Sequence, residues 1–313
     1  MFSFLKFAFV LKIQPTKKSL LLSLLLLFAA TNLFAQSLNT TLLSQVEYDE
    51  PANDVWGYVA PDGTEYALVG TQTSVSIVSL ADPNNAVEVA SIPGQSSTWR
   101  DLKTFGEYAY VVADGGGTTE GLTIIDLSNL PIDVSFTQGP RIIPGVGTFN
   151  KAHNIYVDVP TGIAYVAGAN INNGGMLLYD IATTPGEAIF MSVAPNIYAH
   201  DVYVQGNRMY ASEINTGDLG IYDVSDPLNI TPISYTETPF SFTHNTWTTA
   251  DRNFAYTTDE RNNAPVAAYD ISDDAAPILL DEFRPARSLG TNTVPHNVHV
   301  IDEYLSISFY TDG

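Results

Sequence analysis

Four of the five histidines in the chain open the same kind of segment: HNIYV from His153, HDVYV from His200, HNTWT from His244 and HNVHV from His296. Imidazole can take or give a proton near neutral pH and is a favoured ligand for zinc, copper, iron and nickel. Two earlier segments keep the register with other residues, RDLKT from Arg100 and NDVWG from Asn53. A guanidinium stays charged and grips carboxylates in a bidentate fashion, so Arg100 in this company points instead to an anionic ligand. The chemistry depends on whether the fold gathers residues so far apart in sequence.

The second residue of each pair falls at Asp54, Asp101, Asn154, Asp201, Asn245 and Asn297, at intervals of 44 to 53 residues. A constant register at such spacing is the mark of a structural repeat. Other features recur within each unit. A Tyr- or Phe-rich run follows the opening one, as in EYAYVVA from Glu107, GIAYVAG from Gly162, NRMYASE from Asn207 and NFAYTTD from Asn253. Next comes an apolar run ending in Asp126, Asp180, Asp223 or Asp270, then turn residues, then a closing run such as AVEVASI from Ala86 or PILLDEF from Pro277. Four short strands per unit, punctuated by Gly, Asn, Asp and Pro, predict four-stranded antiparallel meanders, the blades of an all-β propeller. No unit sustains a 3.6-residue period, which excludes helical solenoids. A β-sandwich would not repeat in register.

GLTIIDLSN from Gly121 resembles the LVIVD repeat, and LGIYDVSDP from Leu219 and VAAYDISDD from Val266 are variants of it. NDVWGY at Asn53, STWRD at Ser97–Asp101 and the KAHN and YAHD elements resemble the choice-of-anchor B group of secreted propeller proteins. The likeness runs from about Thr41 to the last residue. It implies the fold and an exported destination with a variable C-terminal surface anchor; it implies no particular activity. Ser79 departs from the pattern, standing where other units end their third strand in Asp.

The expected boundaries are a secretory signal peptide over residues 1–35 and a propeller over 41–313. Lys17 and Lys18 precede the apolar stretch Leu20–Ala30, and Leu33-Phe34-Ala35 ends in a small residue. That is the charged region, apolar core and cleavage site of an export signal, too short to span a bilayer comfortably. No transmembrane segment is expected after it. Five complete blades and part of a sixth are legible. The third and fourth strands of the sixth are not, so the sequence reads as a C-terminally truncated ring of six to seven blades, with seven preferred. The run Thr41–Glu50 reads as a fourth strand that would close such a ring.

The leader holds four of the 13 basic residues and none of the 34 acids, leaving the remainder at a net charge of −25. Such a surface repels nucleic acid and anionic lipid and favours cations. The chain has no cysteine, so no disulfide supports it.

Meander topology returns the loop between the second and third strands to the rim where the first strand begins. Acids cluster near that loop: Asp114, Glu213, Asp259 with Glu260, and Asp312. The candidate ligand-binding residues are therefore Arg100, His153, His200, His244 and His296, and the candidate metal ligands are the four histidines with Glu213 and Asp259. A divalent metal is one reading of the cofactor, which the sequence leaves open. The competing structural reading is that each His-Asn or His-Asp bonds backbone of the neighbouring blade and holds the ring together. Asp126, Asp180, Asp223 and Asp270 read as turn caps. Trp56, Trp99 and Trp247 read as packing between blades, or as stacking surfaces for a sugar. The GGG at Gly115–Gly117 reads as a turn, since it opens no helix that could cradle a phosphate. The function expected is an exported acidic binding or interaction module, secreted or at the cell surface, with a protein, glycan or small molecule as partner. The alternative is a metal-dependent enzyme at the His-rich rim, and the balance leans against an enzyme.

Overall fold

The structure, a computed structural model, describes residues 41–115, 120–194, 196–285 and 292–310. The leader, Asp312 and most of the Gly115–Gly117 cluster lie outside the described residues. Residues 1–43 cluster apart from residues 44–313, and everything below concerns the latter unit.

Alternating patterns of small, β-branched and aromatic residues fold as the repeat predicts. Five four-stranded antiparallel sheets follow in chain order, each a simple meander in which the strands lie in sequence order. They span residues 52–93, 100–137, 154–193, 201–237 and 243–283, and two paired strands, Pro295–Ile301 and Tyr304–Phe309, form the described part of a sixth. The chain is a β-propeller. The spacing between the second and third units is long because a small hairpin, Arg141–Ile143 with Gly147–Phe149, is inserted between them. Its Ile143 and Phe149 are buried against the second and third blades.

The core lies between blades. Tyr110, Tyr165 and Tyr210, equivalent residues of successive second strands, are at most 1% exposed. Each large aromatic packs against the next sheet; the Tyr110 hydroxyl donates to the Pro185 carbonyl at 2.9 Å, whereas that of Tyr210 is buried without a partner among the described residues. Between the third and fourth blades Tyr165, Leu178, Val202 and Met209 share one cluster, and between the fourth and fifth Tyr210, Ile221, Ala255 and Tyr269 share another. Such aromatic burial is the main source of inter-blade cohesion.

The strand-ending aspartates cap turns as expected. Asp126, Asp180, Asp223 and Asp270 each accept the backbone N–H two residues on, at 2.8 to 2.9 Å. Ser79 fills the same place in the first blade, receiving the Ala81 N–H at 3.4 Å. The run ending at Glu50, expected as a fourth strand, forms no ladder. From Ser44 onward it is tied to the first blade by side chains: Ser44 Oγ donates to Pro83 O at 2.8 Å, Tyr48 to Ser76 at 3.0 Å, and Glu50 accepts from Thr73 at 2.7 Å.

Among the described residues, no helix is long and apolar enough to cross a membrane.

Candidate functional site at the channel mouth

Each inner strand starts at the same rim: Arg100–Phe105, Asn154–Asp158, Asp201–Gln205, Thr243–Thr248 and Pro295–Ile301. A residue at that start projects over the channel, and its neighbour turns toward the next blade. The repeated pair therefore divides two tasks. The second residue joins the blades. Asp54 accepts the Leu102 N–H at 3.2 Å, and Asp101 accepts the Ile155 N–H at 2.8 Å with the Asn154 amide at 2.6 Å. Asp201 accepts the Asn245 amide at 2.9 Å, and Asn245 in turn accepts the Val298 N–H at 2.9 Å. Every backbone target is the residue immediately after that blade's own Asp or Asn.

The first residue faces the mouth, although His244 also bonds the neighbouring blade, its Nδ1 donating to the His296 carbonyl at 3.0 Å. His153 and His200 have ring centroids 4.0 Å apart, His200 and His244 4.3 Å, and His244 and His296 4.2 Å. Trp99 completes the figure, 6.0 Å from His153 and 6.0 Å from His296. Five aromatic rings thus form a closed pentagon around the channel. The fold gathers all four predicted histidines.

Arg100 does not join them. It is 3% exposed and turned away from the mouth, with Nη1 on Glu120 at 2.6 Å, Nη2 on the Gln95 carbonyl at 2.5 Å and Nε on the Thr71 carbonyl at 3.1 Å. A guanidinium engaged by protein acceptors on all three nitrogens is committed away from a mouth ligand, and Trp99, one residue earlier, takes the ring position.

The acids divide as sharply. Val112, Ala167, Ser212 and Thr258 pair opposite the Asp or Asn of their blades. Two residues beyond these partners come Asp114, Ala169, Ile214 and Glu260, and the same register falls on Tyr310 in the sixth unit. Asp114 and Glu260 reach the histidines: His153 Nδ1 meets Asp114 Oδ2 at 2.8 Å, and His244 Nε2 lies 3.9 Å from Glu260 Oε2. The Tyr310 hydroxyl donates to Glu260 Oε1. Glu213 and Asp259 sit one residue earlier and turn away, which corrects their assignment as candidate ligands. Glu213 accepts the Tyr222 hydroxyl in an apolar niche with Met176, Ala199 and Met209. Asp259 accepts the Thr238 hydroxyl at 2.6 Å and the N–H groups of Phe240 and Phe242, both at 2.9 Å, and so shapes a loop.

Backbone geometry supports the arrangement at Gly168. It has φ +66°, and a Cβ there would fall 2.6 Å from His153 Cβ, so only glycine lets the loop pass behind this imidazole.

One step deeper lies a second tier that the reading of the sequence missed. Residues two beyond each Asp or Asn, namely Trp56, Lys103, Tyr156, Tyr203, Trp247 and His299, follow the strand alternation onto the same channel face. Lys103 Nζ lies 4.7 Å over Trp56 and 2.6 Å from Asp101, Tyr203 packs 4.1 Å from Trp247, and Trp247 packs 4.4 Å from His299. All three tryptophans line the central cavity, and Trp56 and Trp247 also pack against the clusters between blades, as expected. The cavity between the two tiers measures about 200 Å³.

Burial sets the charge states. It pushes His200 down to about 3 and His296 down to about 4, and the neighbouring imidazoles push the same way. His244 is held well below the usual imidazole range for the same two reasons. These three rings are neutral at physiological pH, each keeping a lone pair on one nitrogen. His244 donates from Nδ1 to the His296 carbonyl at 3.0 Å, which fixes its proton there and leaves Nε2 facing Glu260 as a free base. Burial raises Asp201 to about 6 and lifts Asp54 well above the carboxylate range. At Lys103 burial opposes the charge, but the Asp101 and Asp54 carboxylates outweigh it and the ammonium is stabilised. With this cation enclosed by acids, the channel offers no free positive charge among the described residues, so the anionic ligand suggested by Arg100 loses its basis.

Comparison with known proteins supports the architecture. The LVIVD repeat family matches residues 98–131, the inner strand through the strand-ending turn of the second blade. No curated protein matches the sequence. Among solved structures, a functionally unknown protein from Desulfotomaculum acetoxidans superposes with a TM-score of 0.58 at 14% identity, covering 79% of this chain and 75% of that one. The Cps50 (Swd1) β-propeller domain of Myceliophteria thermophila gives 0.59 at 13%, covering 86% and 82%. The periplasmic gluconolactonase PpgL of Pseudomonas aeruginosa gives 0.56 at 13%, covering 82% and 76%. At these identities the likeness is one of fold alone.

Proposed function

We propose that this LVIVD-repeat propeller is an exported binding module of the choice-of-anchor B type whose ligand seats at the channel mouth. The observation that carries this reading is the closed pentagon of Trp99, His153, His200, His244 and His296 above a cavity of about 200 Å³. A concave site with aromatic walls and a few converging polar groups is the usual form of a small-ligand pocket. Its electrostatics select the ligand class. Asp114 and Glu260 border the mouth, Arg100 is withdrawn, and the one lysine is neutralised by its neighbours. A small neutral or cationic molecule fits this environment, and an anion does not. Support for export is the N-terminal charged and apolar leader.

The test is a thermal-shift screen of small amines, sugars and other neutral solutes. It is followed by NMR of the imidazole resonances with any compound that binds. Binding should move the signals of the four mouth histidines, and Trp99→Leu should weaken it at least tenfold. Compounds that bind tightly yet leave those resonances and the Trp99→Leu affinity unchanged would place the ligand elsewhere and end this reading.

A further inference from the structure

We propose that His200, His244 and Glu260 form a binding site for one first-row transition-metal dication at the channel mouth. The inference deepens the binding reading above and rests on it only for location. One ligand atom from each of the three residues lies within 4.8 Å of the other two. The separation of His244 Nε2 from Glu260 Oε2 is 3.9 Å. Two ligands bonded to one ion at about 2.0–2.1 Å stand about 3.4 Å apart when tetrahedral and about 4.2 Å when opposed. The His244–Glu260 pair falls between these values, and the 4.8 Å bound on the set means that an ion would draw the three ligands together by up to about 1 Å.

Three further features point to a ligand and not to chance proximity. His200 is 9% exposed, and its Nδ1 meets no partner in good hydrogen-bond geometry among the described residues, the His244 backbone making only a weak contact with the ring. A buried polar atom left unpaired is costly, and coordination would repay it. His244 is oriented from behind, since its Nδ1 proton is held by the His296 carbonyl, which also accepts from Thr258 Oγ1 at 2.5 Å. That is the outer-shell arrangement that aims a histidine lone pair at a metal. Glu260 is held likewise: Tyr310 donates to one carboxylate oxygen, and the other faces His244.

Two imidazoles and one carboxylate suit zinc, iron, nickel or copper, whereas calcium and magnesium require more oxygens. Three protein ligands leave at least one coordination position for water or a bound molecule. His153, whose Nδ1 is turned to Asp114, stands beside His200 with ring centroids 4.0 Å apart. In this arrangement a cationic centre would sit where the pocket's charge favours it, and the organic ligand could meet the metal directly.

The experiment uses zinc alone as the probe on the full chain, freed of metal by a chelator. Calorimetry should show one equivalent bound, and cobalt in its place should give visible d–d bands of a nitrogen- and oxygen-ligated ion. Glu260→Gln, at a partly exposed position, should keep the fold and weaken zinc by more than the about 10–100-fold that attaches to an outer-shell partner. His200→Gln should do the same, and Tyr310→Phe should fall within that outer-shell range. Because zinc is the only probe, this titration is independent of whether any organic compound binds, which keeps the two readings distinguishable. Wild-type protein that takes up no zinc stoichiometrically would overturn the proposal. So would unchanged affinity in a folded Glu260→Gln variant, whatever becomes of His200→Gln.

Discussion

Trp99 and His296 lie nearly parallel, 6.0 Å apart with 25° between their planes, and they join the second blade to the sixth across the channel mouth. Through this contact the last described strand pair, Pro295–Ile301 with Tyr304–Phe309, has an anchor on the far side of the ring besides its neighbour, the fifth blade.

That contact predicts a local effect. Trp99→Ala should release the sixth-unit hairpin, with a cost of about 1–3 kcal/mol from lost aromatic burial and stacking. Amide exchange in residues 295–309 should accelerate by an order of magnitude or more, while the third and fourth blades stay protected. Uniform acceleration across all blades would show that Trp99 acts on global stability instead.

The inter-blade bonds predict a hierarchy among aspartates. Asp101 serves Ile155, Asn154 and Lys103 at once, whereas Asp126 caps one exposed turn. Removing one member of a buried charge pair costs about 3–5 kcal/mol, and losing one exposed cap hydrogen bond costs about 1 kcal/mol. Urea unfolding of Asp101→Ala and Asp126→Ala should show that gap. Equal losses would mean that Asp101 does not couple the blades.

Glu213 carries the pH dependence most open to measurement. Burial raises its carboxyl to about 7, against the opposing effect of the Tyr222 hydrogen bond. Because the folded value exceeds the ordinary one, the group carries no penalty in acid, where both states are protonated. As pH rises from about 4.5, the unfolded chain ionises first and stability falls until about pH 7. Glu213→Gln keeps an acceptor for Tyr222 and removes this slope. It should match wild type at pH 4 and exceed it by up to about 3 kcal/mol at pH 8. A variant that is less stable than wild type at pH 8 would refute the assignment.

The outer strand of the fifth blade, Ile278–Phe283, exposes Ile278, Leu279, Leu280 and Phe283, each at least 45% accessible. An apolar edge of this kind invites pairing with another chain. Light scattering should detect concentration-dependent association of the protein, and Leu280→Lys should reduce it without altering the melting temperature. Association unaffected by a charge at this edge would locate it elsewhere.

The propeller and the gathering of His153, His200, His244 and His296 were legible because a repeat turns sequence register into position around a ring. What escaped was set by single-residue offsets. The register assigns the mouth to Arg100, but Thr71, Glu120 and Gln95 engage all three of its guanidinium nitrogens, and the adjacent Trp99 takes the ring position. Glu213 and Asp259 end their strands and face protein, while Asp114 and Glu260, one place further along the register, face the histidines. Strand alternation makes that one step a change of side. The deeper tier from Trp56 to His299 obeyed the same period of two and was available from the sequence, since each member stands two residues beyond a marked Asp or Asn.

The division of labour between neighbouring residues gives the mouth a kind of autonomy. The Asp or Asn that bonds the next blade and the side chain that faces the channel are adjacent in sequence yet answer to different constraints. Substitution at the second endangers assembly, whereas substitution at the first mainly alters what the opening can hold, except at His244, whose Nδ1 also bonds the next blade. The ring at the rim thus behaves as an exchangeable fitting on a fixed frame. New specificities could be installed there one blade at a time, without redesigning the joints that keep the frame together.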